Sequence, residues 1–174
     1  MNAKVSYPAS FQLVAAMNPC RCGYLGYYPD KECRNARRCG QEYSKTLSGL
    51  ILDRIDLFVN ISRIESRQIL DSLPEESSGQ IRQSVISDRA KQLERYQGMH
   101  FNLNCHIDAA AIAEYISLDR ETTEFLTHVV EQNYLSLRGY DRILKVARTI
   151  ADLENSDEVN KSHVTEVLYY KLSV

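Results

Sequence analysis

Residues 136–153, SLRGYDRILKVARTIADL, carry the fold class. Ile143, Leu144, Ala147, Ile150 and Ala151 recur at helical spacing, so the stretch predicts a helix over 138–153 with one apolar face. Asn155-Ser156-Asp157 then reads as a helix-to-helix break, with another helix over 160–172. Upstream, the same periodicity predicts helices over about 108–116 and 120–135. Ser77 and Gln80 have the spacing of a capping box ahead of an apolar stripe at Ile81, Val85, Ala90 and Leu93. From residue 63 onward the chain reads as all helix.

Before that point the pattern changes. Residues 11–17, FQLVAAM, form a short apolar run that stops at Asn18-Pro19. Its length and β-tolerant residues predict a buried strand, a pattern shared with a single helix turn. Residues 55–61 supply a second strand candidate. The expected fold is mostly α with a small β part. One or two strands of an α/β core lie over 1–62, with a Cys-rich insert at about 19–47, and a helical domain covers 63–174.

The 174 residues are 44% hydrophobic and 25% charged, with a net charge of −2, which excludes a disordered chain. No stretch approaches 18 uninterrupted apolar residues, so no membrane partner is expected. The first residues lack the apolar region of a secretion signal, which predicts the cytoplasm. The overall charge gives no global attraction to nucleic acid, so any such binding must be local. The insert is locally basic. Arg21, Lys31, Arg34, Arg37, Arg38 and Lys45 outnumber Asp30, Glu32 and Glu42, giving net +3 among interleaved Tyr24, Tyr27, Tyr28 and Tyr43.

Of five cysteines, Cys20, Cys22, Cys33 and Cys39 fall within twenty residues. Four thiolates can surround one tetrahedral Zn²⁺ and tie down a loop too poor in apolar residues to fold alone. The alternative is four reduced thiols, because C-x-C with C-x5-C is not the usual pair of C-x-x-C knuckles. Cys105 stands apart and reads as a small buried hydrophobe. Asn18 reads either as a turn former before Pro19 or as a polar group at a strand end, where ligands of open α/β sheets collect. Arg54, between Asp53 and Asp56, reads either as a local salt bridge or as a guanidinium held ready for phosphate. Arg138, Arg142, Lys145 and Arg148 can form one basic stripe. Arg138 sits near a helix start, where the macrodipole favours anions, a position suited to a cation that faces a bound phosphate. No HExxH, GxSxG or GxxxxGK[ST] occurs in these residues, so they hold no phosphate-cradling loop and are not expected to hydrolyse a nucleotide by themselves.

Three separated stretches, FQLVAAMNPCRCGYLGYYPDKECR, SGLILDRIDL and SLRGYDRILKVARTIADL, resemble the C-terminal half of the magnesium-chelatase-like AAA+ ATPases, closest to the bacterial competence (ComM, YifB) type. The resemblance runs from Tyr7-Pro8 to about Tyr170. It implies that Asn18 is sensor 1 and Arg54 an arginine finger entering a neighbouring subunit's site. Arg138 becomes sensor 2 on a helical lid, with Arg142 and Arg148 as alternatives. Asn18, Arg138 and Arg142 are thus the implied nucleotide-binding residues. ATP and Mg²⁺ are the implied cofactors, the magnesium held mainly by family segments without a counterpart here. The implied partners are identical subunits in a ring, a hexamer, and DNA, in helicase or branch-migration work.

The sequence also departs from the family. Cys20-Arg21-Cys22-Gly23 stands where CPCG is usual, and SGLILDRID replaces SGPLLDRID. Asn35 occupies the place of a cysteine, leaving Cys39 as the substitute by a different loop path. Two other readings remain open at this point: a non-enzymatic zinc-dependent nucleic-acid-binding module, and the motor subunit of a metal chelatase.

Overall fold

The computed structural model describes residues 5–6, 11–18, 20–24, 33, 36–45, 49–52, 54–61, 76–133 and 135–172. The chain divides into two compact units, Met1–Ser48 and Gly49–Val174. The helix described in the first is α1 (Ala36–Ser44). In the second, α2 (Gly49–Leu52) precedes α3 (Ser78–Arg95), a 3-10 turn (Asn104–His106) and α4 (Ile112–Tyr115). The order closes with α5 (Arg120–Gln132), α6 (Leu137–Leu153) and α7 (Lys161–Leu172).

Helix α6 is the hub of the second unit. It packs on α7, α3, α4 and the 3-10 turn, while α5 packs on α7. The apolar stripe expected from its sequence explains this: Ile143, Leu144, Ala147 and Ala151 are buried. The two alanines present almost no bulk, which lets neighbours approach closely. Val164, Val167 and Leu168 of α7 join the same core. Each such valine or leucine contributes about 1.5–3 kcal/mol by leaving water.

Short polar bonds set the helix starts. Ser136 caps α6 by accepting from the Gly139 amide at 3.1 Å. Asp119 caps α5 by accepting from the Thr122 amide at 2.6 Å, which holds its carboxyl below the usual range. The Ser77–Gln80 capping box forms in both directions, at 3.3 and 2.8 Å. Helix α6 ends in a Schellman motif: Ser156 N donates to Ala151 O at 2.8 Å and Asn155 N to Asp152 O at 3.0 Å. Asn155 takes the left-handed conformation (φ 57°) that this closure needs and that asparagine tolerates. The expected break therefore lies where its residues predicted.

Three expectations are corrected. Among the described residues no β-ladder forms; an isolated parallel bridge joins Leu118 and Val159. Residues 11–18 are exposed and without regular structure, and residues 54–61 lie outside any ladder. A strand exists only through pairing, and neither segment has a strand beside it among those residues. Second, the 108–116 helix is only the short α4, because Asp108 O spends its bond on a turn with Ala111 N at 2.9 Å.

The third correction concerns α3. Its stripe of Ile81, Val85, Ala90 and Leu93 faces solvent, while Asp88 and Gln92 are buried. A polar network makes this inversion stable. Asp152 of α6 accepts from Arg95 Nη1 at 2.9 Å, Asn104 Nδ2 at 2.8 Å and Arg148 Nε at 3.2 Å. Asn104 in turn accepts from the Tyr96 hydroxyl at 2.6 Å, and its amide donates to Gln92 Oε1 at 3.0 Å. Lys91 closes the far side, donating to Asp152 O at 2.9 Å and Asn155 Oδ1 at 2.7 Å. Buried polar groups are tolerable when paired, and nearly every member here is. Burial alone raises the Asp152 carboxyl, but Arg95, Asn104 and Arg148 outweigh it and hold it below the usual range.

Candidate functional site

In the first unit, Cys20-Arg21-Cys22-Gly23 folds into a tight turn. Gly23 N donates to Cys20 O at 3.1 Å, and Gly23 takes φ +78°, a conformation in which only glycine is unstrained. Helix α1 brings Cys39 to the turn, and Cys33 completes the group. The four Sγ atoms lie within 4.8 Å of one another. Cys20 and Cys33 are buried, Cys39 is half-buried and Cys22 is exposed.

A zinc–sulfur bond of about 2.3 Å in tetrahedral geometry puts sulfurs about 3.8 Å apart, so the observed cluster needs only small adjustments. The 3.2 Å between Cys20 and Cys22 Sγ is a thiol contact, far longer than a disulfide. The donor set therefore fits a soft, tetrahedral cation such as Zn²⁺. The Tyr24 amide lowers the pKa of Cys22, yet contact with Cys20, Cys33 and Cys39 pushes it up to about 12. Crowded thiols keep their protons until a cation replaces them.

Asn18 lies just before this turn and is exposed. A Cβ added to Gly23 would stand 3.7 Å from Asn18 Nδ2, so the turn and the asparagine side chain are neighbours. The exposed side chains of Arg21, Tyr24 and Arg38 belong to the same unit. Tyr27, Tyr28, Lys31 and Arg34 lie outside the described residues.

Arg54 lies in the second unit, in a turn closed by Arg54 N to Ile51 O at 2.9 Å and Ile55 N to Leu52 O at 3.1 Å. Its side chain is exposed. The local reading paired Arg54 with its neighbouring acids. Asp56 instead meets Arg142 Nη1 at 3.3 Å, across 86 positions of sequence, and Asp53 lies outside the described residues. The C-terminal helix adds two backbone bonds. Lys171 Nζ donates to Ile55 O at 2.6 Å, and Phe58 N donates to Tyr170 O at 3.0 Å. No local pattern around Arg54 signalled Tyr170 or Lys171, because their bonds use backbone atoms of a distant segment.

The basic stripe on α6 separates into two functions. Arg138, Arg142 and Lys145 line a cavity of about 410 Å³ together with Asp56, Asp141 and Cys105. Arg138 is exposed two residues after the Ser136 cap, where cavity and helix start coincide. Arg148 does not line that cavity. It is buried against Asp152 and donates to the carbonyls of Asp157, at 2.6 Å, and Ser156. All its donors face structural acceptors, which removes it as an alternative sensor. Cys105 is exposed, correcting the expectation of burial. The cavity thus holds three cations and two carboxylates, one of which, Asp56, is met by Arg142.

Residues 75–171 match the family described as magnesium chelatase, subunit ChlI C-terminal. Residues 1–69 match magnesium chelatase, subunit ChlI. The chain is similar to the uncharacterized protein YifB of Escherichia coli, with 38% identity over 97% of this chain and 32% of the relative. Competence protein ComM of Haemophilus influenzae is 34% identical over 99% of this chain and 33% of the relative. An uncharacterized protein of Mycobacterium tuberculosis is 30% identical over 95% of this chain and 32% of its own length. The chain thus spans about a third of the length of the curated relatives it matches. Since the C-terminal match alone covers more than half of its residues, the chain belongs to the magnesium chelatase subunit ChlI family.

Proposed function

We propose that these residues form the sensing and finger-bearing part of an ATP-hydrolysing AAA+ ring motor. Asn18 acts as sensor 1, Arg54 as the finger reaching a neighbouring copy, and Arg138 as sensor 2 on the helical domain. The observation that carries this reading is the cavity where an exposed Arg138 opens beside Arg142, itself paired to the Arg54-bearing segment. Phosphoryl transfer depends chiefly on positioning and charge stabilisation, and an arginine supplied in trans is among its larger contributions. ATP with Mg²⁺ supplies the phosphoryl group and its counter-charge. Within this chain, Asn18 orients the attacking water and Arg138 binds phosphate oxygens. Arg54 stabilises charge as the bond breaks.

The Cys20, Cys22, Cys33 and Cys39 cluster holds a structural Zn²⁺, which stiffens the turn beside Asn18. A second reading, favoured by exposed Arg21, Arg38 and Tyr24 in the same unit, gives this cluster a role in holding nucleic acid. Cations follow phosphates there and the aromatic ring stacks on a base. One relative is named a competence protein; on the reading proposed here the motor acts on DNA and assembles as a ring, a hexamer. A metal chelatase motor would use the same engine on other cargo.

ATP turnover by the complete gene product containing these residues tests the proposal. Hydrolysis that vanishes in Arg54→Ala while nucleotide binding persists is the expected result. Normal turnover in that variant removes the finger assignment. Salt-sensitive binding of single-stranded DNA by the 174-residue chain supports the second reading, and no binding at low salt counts against it.

A further inference from the structure

We infer that Asp56, Arg142 and Lys171 are positioning residues that clamp the Arg54-bearing segment onto the helical domain, so that the finger and Arg138 move together. This rests on the reading of Arg54 as a finger. The clamp has three points within four residues of Arg54. Lys171 holds the Ile55 carbonyl, Arg142 holds the Asp56 carboxylate, and the Tyr170 carbonyl holds the Phe58 amide. The Lys171 ammonium also stands 5.8 Å from the centre of the Phe58 ring.

Arg138 and Arg142 lie one helical turn apart on α6 and line the same cavity as Asp56. Any shift of α6 that lets Arg138 close on an anion carries Arg142 with it, because a helix moves as a rigid rod. Through the ion pair, that shift reaches the backbone that aims Arg54. Occupancy at one copy's Arg138 is thereby transmitted to the site that its finger serves. Arg142 is then a link in this chain and not a ligand of the nucleotide.

Asp56 is 55% exposed and Arg142 23%, so conservative changes at either are compatible with folding. Asp56→Asn, Arg142→Gln and the exchanged pair Asp56→Arg/Arg142→Asp are compared in the complete gene product, with Arg54→Ala as reference. The expected result is a kcat lower by about tenfold in each single variant, a KM for ATP within about twofold, and recovery of at least about half the rate in the exchanged pair. A KM that rises at unchanged kcat in Arg142→Gln, or an unchanged kcat in Asp56→Asn, overturns the inference while Arg54→Ala stays inactive. Normal turnover in Arg54→Ala, or none in the unaltered protein, overturns the functional reading and this inference with it. Hydrogen exchange on the 174-residue chain adds a readout free of activity. In Asp56→Asn the Phe58 amide exchanges about tenfold faster while α6 keeps its protection, and unchanged exchange there also overturns the clamp.

Discussion

Arg148 and Asp152 form an ion pair at 3.0 Å, one turn apart on α6, with only 3% and 1% of their side chains exposed. The guanidinium also satisfies two carbonyls in the loop that leads to α7, so one side chain fastens the hub helix to its neighbour. Removing one partner of a buried pair strands the other charge and costs about 3–5 kcal/mol. Arg148→Ala is therefore expected to lose that much stability in urea unfolding. A loss below about 1 kcal/mol would show that the network is dispensable.

Asp152 also sets an acid limit. Its carboxyl titrates below the ordinary range when folded, so the unfolded chain binds its proton more readily. The stabilisation is present in full above the unfolded value of about 3.9 and is lost as pH falls through the lower folded value. Unfolding followed from pH 7 to pH 2 should show this decline in the unaltered chain. Asp152→Asn starts from lower stability and loses less over the same acid range. Parallel curves would refute the assignment.

The cysteine cluster predicts one tightly held Zn²⁺ or Co²⁺ per chain, with the Co²⁺ form showing the strong sulfur-to-metal charge-transfer band of a tetrathiolate. Because neighbouring thiols push Cys22 up to about 12, binding must release protons and tighten as pH rises. Cys33→Ser should abolish the tetrathiolate spectrum. Gly23→Ala should weaken the site, since φ +78° costs a residue with a Cβ about 1–2 kcal/mol. Metal binding that is independent of pH would contradict the ligand set.

Arg138 and Arg54 are expected to fail differently. Arg138→Ala should weaken nucleotide binding by the copy that carries it, read as a higher KM. Arg54→Ala should leave binding intact and lower kcat by about 10³-fold or more, the scale of a lost arginine finger. Equal effects on KM from both variants would place Arg54 in the wrong site.

The helices α5, α6 and α7 were legible because their apolar spacing and caps are local. Ser77 and Gln80 sit three residues apart, so their box could be read directly. The buried face of α3 was not legible, because Gln92 meets the distant Asn104 and Lys91, the partner of Asp88, reaches Asp152. Apolar spacing at Ile81 and Leu93 carries no word of those partners. Strand character in 11–17 and 55–61 failed for a related reason: a ladder belongs to two segments and is written in neither alone. The thiol spacing left Cys39 ambiguous until α1 returned it to the Cys20 turn. Locally Asp56 reads as a neighbour of Arg54, whereas its partner Arg142 lies in another element.

On this reading a working site is shared between two copies of the chain. Co-expressing the complete product as Asn18→Ala and Arg54→Ala subunits, each inactive alone, tests it most directly. A ring that shares its sites rebuilds an intact one wherever the Arg54→Ala copy, with its own Asn18, receives Arg54 from an Asn18→Ala neighbour. Random mixing at equal amounts should restore about a quarter of the unaltered activity. Mixed rings that form and stay inactive would contradict the account.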